Sequence, residues 1–218
     1  VASVITMIAI GSGARAAVDA QIDALGASVL SVRAGSFMRM GVAQSGAKLT
    51  IKDAAAISSD APSVRAVVPE IGGQPQIKLG NRNENLRVIG VSANFALVQG
   101  YTLSSGRLFS NADDANRRYV AVLGASVPAK LGSSEAAIIG QTIYIKGLGF
   151  TVIGVLAEKG ASGFRNVDEQ LWIPFYTARY RVFGTDQLDS ISAQMAPGVS
   201  VERAIVEIER VMRREHQI

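Results

Sequence analysis

The first twelve residues, VASVITMIAIGS, place the strongest constraint on what this chain can be. Residues 1–10 form a predominantly apolar run, whereas a complete membrane span needs about 20 apolar residues. The run also lacks a preceding basic flank, so it is not an intact signal peptide. We therefore interpret residues 1–12 as the end of a transmembrane helix in a piece of a larger membrane protein. On this window alone, a buried strand or core helix is an equal alternative.

The next segment, residues 13–26, has the pattern of an amphipathic helix. Val18, Ile22 and Leu25 recur at helical spacing, with charged and polar residues between them. Gly26 is placed to end this helix as a C-cap. The change from an apolar to an amphipathic pattern predicts a membrane helix that emerges into water and continues as a stalk.

Composition indicates that the rest of the chain is a globular domain. The chain has 218 residues, of which 48% are hydrophobic and 18% charged, and this length can bury a substantial core. No other run approaches membrane-spanning length. The absence of cysteine excludes disulfides, thiolate zinc sites and a cysteine nucleophile, and is compatible with a bacterial periplasm.

A net charge of +4 does not make this a nucleic-acid-binding chain. Such binding requires Lys and Arg gathered on one face, and here they are scattered. The densest group, Arg210, Arg213 and Arg214, lies at the end of a predicted helix, where cations interact favourably with the helix dipole. We expect no nucleic-acid partner.

The order of predicted elements indicates an α+β fold. Residues 27–34 alternate as a strand, Thr50 and Asp53 have the spacing of a capping box that begins a helix, and a further strand follows at residues 64–71. At the other end, residues 189–195 alternate as a strand and Ser200 caps an amphipathic helix. We predict that residues 27–72 and 188–214 form a small α/β sandwich.

Residues 73–187 read as an insertion into that sandwich. This section consists almost wholly of short strands and turns, with glycine-containing hairpin signals. The fold class is therefore α+β, with a small sandwich subdomain interrupted by a mainly-β inserted subdomain. Such an insertion brings the two ends of the chain together at the base of the domain.

The sequence does not support an enzyme. The single histidine, His216, lies in a terminal segment that we expect to be mobile, which is unsuitable for a catalytic triad or metal site. The adjacent acidic pairs Asp113-Asp114 and Asp168-Glu169 are interpreted as solvated turn charges. There is no GxxxxGK[ST] phosphate loop. We predict no catalytic, cofactor-binding or metal site.

The glycine-rich segment 159–170 is instead a candidate for contact with a partner. Phe164 is a large apolar residue beside Arg165 on a predicted exposed turn, and buried aromatic and arginine anchors are typical of protein interfaces. A Phe164 that folds back onto the inserted lobe is an equal alternative.

Six short stretches, in order along most of the chain, carry a family resemblance. They are IAIGSGARA (8–16), LSSGRLF (103–109), VAVLG (120–124), IGQTIYIKGLGFTVIGVL (139–156), KGASGF (159–164) and LWIP (171–174). The ordered set resembles the periplasmic core domain of MacB-type ABC transporter permeases, which are related to lipoprotein-releasing permeases and, more distantly, to FtsX proteins.

This resemblance implies a bacterial inner-membrane protein with a periplasmic domain. The sandwich would be the porter subdomain and the insertion the sabre subdomain, while residues 215–218 would lead into a second transmembrane helix. It also implies a second permease subunit and an ABC ATPase domain or subunit, which would bind ATP and Mg²⁺ outside this fragment. A periplasmic adaptor (membrane fusion) protein is a further implied partner.

In such permeases the domain is understood to act mechanically, which requires a stiff stalk. The candidate residues for its packed seam are Val18, Ile22, Leu25, Ile205, Ile208 and Met212, for which ordinary burial against the sandwich is the alternative. The alternative functions are an FtsX-like module that regulates a cell-wall hydrolase and a lipoprotein-releasing permease domain.

Overall fold

The computed structural model describes residues 29–33, 37–39, 42–44, 48–162 and 165–217. The predicted end of a membrane helix (1–12), the predicted stalk (13–26) with Val18, Ile22 and Leu25, and the candidate contact residue Phe164 lie outside the described residues. Arg165 is described only through its backbone. Among the described residues, no helix combines the length and apolar character needed to cross a membrane.

The chain alternates short strands with mostly short helices. The strands are β1 (Val29–Arg33), β2 (Phe37–Arg39), β3 (Val42–Gln44), β4 (Val64–Gly73), β5 (Gln76–Leu79), β6 (Arg82–Asn85), β7 (Arg87–Val91), β8 (Leu103–Gly106), β9 (Val120–Leu123), β10 (Thr142–Ile145), β11 (Leu148–Leu156), β12 (Ala161–Ser162), β13 (Arg165–Asn166), β14 (Gln170–Pro174) and β15 (Ser190–Met195). The α-helices are α1 (Ile51–Asp60), α2 (Phe95–Gln99), α3 (Asn111–Ala115), α4 (Val127–Lys130), α5 (Glu135–Ile138), α6 (Phe175–Thr177) and α7 (Val201–His216). A 3₁₀ turn covers Val167–Glu169 and a π-helix covers Ala178–Phe183.

Most of the described strands belong to one mixed sheet. Its order is β1–β15–β4–β7–β14–β9–β11–β10–β5–β6, and β8 pairs with β11. Neighbouring strands are antiparallel except β7 with β14 and β9 with β11. Because β4 pairs with both β15 and β7, the sheet continues from the predicted sandwich (27–72 and 188–214) into the predicted insertion (73–187). The predicted α+β fold is confirmed, and its two parts share one sheet.

Three hydrophobic clusters lie against this sheet. Helices α1 and α7 cover one face of β15, where Ile57 and Ile208 pack in the same cluster as Ile191. In β14, Leu171 and Trp172 belong to different clusters, because successive side chains of a strand point to opposite faces. The face that carries Trp172 also holds an aromatic group formed with Phe95. The sheet is therefore covered on both faces.

The local capping signals are confirmed. The backbone N–H of Thr50 donates to the carboxylate of Asp53 over 2.7 Å, and the Thr50 hydroxyl accepts from the backbone N–H of Asp53. The Ser200 hydroxyl likewise accepts from the backbone N–H of Arg203 at the start of α7. These caps satisfy N–H groups that have no partner within the helix.

Several local expectations are wrong. The predicted mobile terminal residue His216 is the last residue of α7, and its side chain is only 18% exposed. The section 73–187 also contains short helices, which lack the length that makes helical periodicity visible in a sequence. By contrast, the hairpin signal at Gly80-Asn81 is confirmed, since β5 and β6 pair across this turn.

We expect substitution of Gly90 by alanine to destabilise the domain. Gly90 lies in β7 between β4 and β14, and a Cβ there would overlap the Cβ of Ala178 in the π-helix. Overpacking of this kind costs about 1–3 kcal/mol. Urea denaturation followed by fluorescence of Trp172, the only tryptophan, measures the loss. The control is Gly198→Asn, at an open position with φ of 74° that Asn tolerates, and a loss of equal size there would contradict the prediction.

Candidate functional site

The segment singled out for partner contact forms a small hairpin. Strands β12 and β13 are antiparallel, and Ala161 pairs with Asn166 and Ser162 with Arg165. They flank Phe164, the candidate contact residue. The segment is therefore an ordered hairpin at its base, which is how a rigid element can present a contact residue to a partner.

A buried carboxylate stabilises the base of this hairpin, where its two ends meet. We call this base the hairpin root. Asp168 is only 5% exposed, and its two oxygens accept from the backbone N–H groups of Lys159, over 3.0 Å, and Gly160, over 2.8 Å. On the other side, the amide of Gln170 donates to the carbonyl of Asn166 over 3.0 Å. Through these hydrogen bonds, Asp168 connects the segment after the hairpin to the segment before it. Its interpretation as a solvated turn charge is wrong.

Lys159 fixes the hairpin to the neighbouring turn. Its ammonium donates to the carbonyl oxygens of Gln99, over 2.6 Å, and Gly100, over 3.2 Å. The same nitrogen lies 4.6 Å from the ring centroid of Tyr101, within the range of a cation–π interaction. Burial lowers the pKa of Lys159. Lys159, which precedes strand β12, therefore attaches the hairpin to the end of α2 and the turn that follows it.

Beside this attachment, a buried glutamate organises a polar network. Glu70 is 9% exposed and accepts hydrogen bonds from the Gln99 amide over 2.7 Å, the Ser190 hydroxyl over 2.9 Å and the Ser192 hydroxyl over 2.5 Å. Burial, and then the negative charges of Glu70 and Asp168, raise the pKa of Tyr101 to about 12. The network and the hairpin root therefore share one electrostatic environment.

A cavity of about 280 Å³ opens between this network and the edge strand β1. Its lining combines polar, cationic and apolar side chains: Val29, Ser31, Arg33, Glu70, Ile89, Gln99, Tyr101, Lys159, Val167, Gln170 and Ser192. Within the described part of the chain, no group of acidic and histidine residues could hold a metal ion.

The other acidic pair also serves the structure. The carboxylate of Asp113 accepts from the Arg107 guanidinium over 2.8 Å and from the Ser110 backbone over 2.9 Å, and the hydrogen bond from Arg107 is the largest cause that lowers its pKa to about 2. Asp114 accepts from the backbone N–H of Tyr176, although burial raises its pKa. Both residues are largely buried, so their interpretation as solvated charges is wrong.

Other predicted residues are placed as follows. Ile208 is buried in the cluster under α1 and α7, and Met212 packs against that cluster, whereas Ile205 is 41% exposed. Glu169 is partly exposed and pairs with Lys130 over 2.8 Å. Glu70 was not predicted from the sequence, although a carboxylate beside the apolar residues Val68 and Ile71 was an available signal.

The fold is that of extracytoplasmic domains from ABC transporters. The periplasmic region of MacB from Actinobacillus actinomycetemcomitans matches with a TM-score of 0.72 and 21% identity, over 88% of this chain and 86% of that one. The extracellular domain of the transporter YknZ from Gram-positive bacteria matches with a TM-score of 0.65 and 18% identity, over 78% of this chain and 85% of that one.

Sequence comparison defines the family. Residues 1–211 match the MacB-like periplasmic core domain, and the chain belongs to this family. It is 34% identical over its whole length to the macrolide export ATP-binding/permease protein MacB of Bdellovibrio bacteriovorus, and 33% identical to the pyoverdine export ATP-binding/permease protein PvdT of Pseudomonas entomophila. The chain spans about a third of the length of these relatives, 34% and 33% respectively.

We expect Asp168→Asn to loosen the hairpin root. An asparagine side chain keeps the shape but loses one acceptor oxygen, which leaves a backbone N–H of Lys159 or Gly160 unpaired at a cost of about 1–3 kcal/mol. Amide hydrogen exchange at Gly160 should become faster, and unfolding should require less urea. The control is Glu169→Gln, which removes an exposed ion pair with Lys130 worth up to about 1 kcal/mol. Equal effects of the two variants would contradict the stabilisation of the hairpin by Asp168.

We expect the buried Tyr101 to ionise at a higher pH than an ordinary tyrosine, because its pKa is raised to about 12. Because its folded pKa of about 12 lies above the ordinary value of 10.0, its contribution to stability is complete below pH 10 and is lost as the pH rises through 12. Absorbance at alkaline pH should therefore show a late phenolate step that Tyr101→Phe removes. The half-exposed Tyr144 provides the control variant Tyr144→Phe, which should leave the late step in place. A late step that persists in Tyr101→Phe would contradict the assignment.

Proposed function

We propose that this chain is the periplasmic domain of an ABC transporter permease subunit and that it transmits movement mechanically. In this proposal, ATP binding and hydrolysis in the cytoplasm displace the membrane helices, and the domain changes position to export or release a substrate. The observation that carries the proposal is the firm attachment of the C-terminal helix α7 to the rest of the domain.

Helix α7 is joined to the domain along most of its length. Ala204, Ile208 and Val211 are buried on its inner face. The backbone N–H of Ser63 donates to the carboxylate of Glu207 over 2.8 Å. Because apolar packing and polar contacts act together, a displacement of α7 carries the neighbouring strand and helix with it.

Two further contacts tie the end of α7 to helix α1. Arg214 forms an ion pair with Asp60, and Nε2 of His216 lies 3.1 Å from a carboxylate oxygen of the buried Asp53. His216 is therefore an ordered residue of α7 beside α1, instead of the mobile residue expected from sequence. The continuous sheet then connects this helical layer to the inserted lobe.

The strand that follows the predicted stalk in the sequence, β1, pairs with the strand that leads into α7. Val29, the first described residue after the predicted stalk, pairs with Gln194 in β15. On α7 itself, Val201 and Ile205 are each 41% exposed and Val206 is 56% exposed. This exposed apolar surface supports the predicted seam between Ile205 and the stalk residues Val18, Ile22 and Leu25.

The relatives support the proposed partners. Their names combine ATP binding with a permease, which favours an ABC ATPase domain in the same protein. We propose a second permease subunit, the bacterial inner membrane and a periplasmic adaptor as further partners. Because the named relatives are exporters, export is preferred over an FtsX-like regulatory role or lipoprotein release.

The proposal predicts that ATP binding changes the distance between two copies of the domain. In the full-length protein, Val206→Cys places a thiol on the exposed side of α7, in a segment without native cysteine. A bifunctional thiol reagent should give several times more crosslinked dimer with a non-hydrolysable ATP analogue than without nucleotide. Spin labels at Tyr144→Cys, in the inserted lobe, should report a distance change under the same conditions. A crosslinking yield and label distance that do not respond to nucleotide would contradict mechanical coupling.

The attachment of α7 can be tested in the same protein. The double variant Asp60→Asn, Glu207→Gln weakens contacts of α7 with its neighbours while leaving its apolar face intact. ATP hydrolysis should continue, but the nucleotide-dependent distance change at position 144 should shrink. The control is Glu209→Gln, because among the described residues the ion pair of Glu209 lies within α7, with Arg213. A distance change that is the same in the double variant and the control would show that these contacts do not transmit the movement.

A further inference from the structure

A second surface, separate from the hairpin, concentrates arginine and tyrosine. It consists of Arg117, Arg118, Tyr176, Arg179, Tyr180 and Arg181, from the turn after α3 and from the adjoining α6 and π-helix. We call these residues the arginine–tyrosine patch. Tyr176 is 38% and Tyr180 44% exposed, and only Arg179 among the arginines is partly covered.

Arg117 occupies a backbone position that favours glycine. Helix α3 ends in a Schellman motif, in which the N–H of Arg118 donates to the carbonyl of Asp113 and that of Arg117 to the carbonyl of Asp114, each over 2.9 Å. The φ angle of Arg117 is 52°, in the left-handed region that L residues with a Cβ disfavour. An arginine in this place indicates that its side chain has a use.

The base under the patch is rigid. The carboxylate of Asp114 accepts from the backbone N–H of Tyr176 over 2.8 Å, and the hydroxyl of the fully buried Thr177 donates to the carbonyl of Arg118 over 3.0 Å. These contacts lock the turn after α3 against the start of the helical segment that carries both tyrosines. A π-helix at this point is a second irregularity of a kind often found at functional sites.

The side chains are held in a stacked arrangement. The guanidinium carbon of Arg117 lies 4.3 Å from the ring centroid of Tyr180, and that of Arg179 lies 4.6 Å from it. The rings of Tyr176 and Tyr180 are nearly parallel at 11°, with centroids 6.2 Å apart. A guanidinium stacked on a ring keeps its N–H groups at the edge, available for hydrogen bonding.

The patch carries positive charge that the described residues do not neutralise. Arg179 donates to Asp186 over 2.7 Å. Within the described ranges, Arg117, Arg118 and Arg181 form no ion pair with a carboxylate. Guanidinium groups bind carboxylates through paired hydrogen bonds, and arginine and tyrosine are enriched among residues that dominate protein interfaces.

We propose that the arginine–tyrosine patch docks an acidic segment of a partner protein. Carboxylates of that segment meet the guanidinium groups of Arg117 and Arg181, and an apolar side chain lies on the exposed rings of Tyr176 and Tyr180. A lipid surface would require only mobile basic side chains, whereas here the guanidinium groups of Arg117 and Arg179 are stacked on the ring of Tyr180. This docking is independent of the mechanical role proposed above, which does not require it.

The test uses the full-length protein in nanodiscs of phosphatidylcholine. The probe is a fluorescein-labelled peptide, Glu-Glu-Phe-Glu-Glu, measured by fluorescence anisotropy at about 0.15 M salt, where long-range charge is screened. We expect Arg117→Gly and Arg181→Gln each to weaken binding by about tenfold, as for the loss of a hydrogen bond between charged groups. The matched control, Arg210→Gln, removes an exposed arginine from α7 and should leave binding unchanged.

Arg117→Gly separates binding from folding. Glycine suits the positive φ of this position, so the midpoint of thermal unfolding should not fall when the peptide affinity does. Arg181→Gln provides a second variant, at an arginine other than the two that stack on Tyr180. Equal peptide affinities in wild type, Arg117→Gly and Arg181→Gln would overturn the proposal, as would an equal loss in Arg210→Gln.

Discussion

The pairing of β4 with strands on both sides is the constraint on which the rest of the structure depends. β4 joins β15 of the sandwich to β7 of the inserted part. Along this strand, Ile71 packs under α1 and α7, and Val68 packs on the opposite face. Glu70 accepts the hydrogen bonds of the polar network. Backbone hydrogen bonds on both edges hold these side chains in register. A shift in the pairing register of β4 would therefore displace residues of two hydrophobic clusters and of the polar network beside the hairpin.

Buried carboxylates give the loops of this domain their order. Asp53 caps α1 and Asp113 caps α3. Asp114 accepts from the backbone N–H of Tyr176, and Asp168 joins the ends of the hairpin. A buried carboxylate is costly unless it receives hydrogen bonds, and each of these receives at least one from a backbone N–H. Each of the described loops that carries one of these carboxylates is therefore hydrogen-bonded to the rest of the domain.

The strands and the long helices could be predicted because their signals are local. The alternation at residues 64–71 and the capping pattern at Thr50 and Ser200 correspond to β4, α1 and α7. The short helices could not be predicted, since a helix such as Asn111–Ala115 spans little more than one turn. The role of Asp168 also could not be predicted, because the N–H groups of Lys159 and Gly160 come close to it only when the hairpin forms.

The sequence by itself determined the fold class and the family, because apolar periodicity, helix caps and ordered motifs are properties of neighbouring residues. Only the tertiary structure decided that the sandwich and the insertion share one sheet and that His216 lies against Asp53. It also placed Arg117 on the ring of Tyr180. Contacts between residues far apart in the chain depend on how strands pair and helices pack, and no local pattern records that geometry.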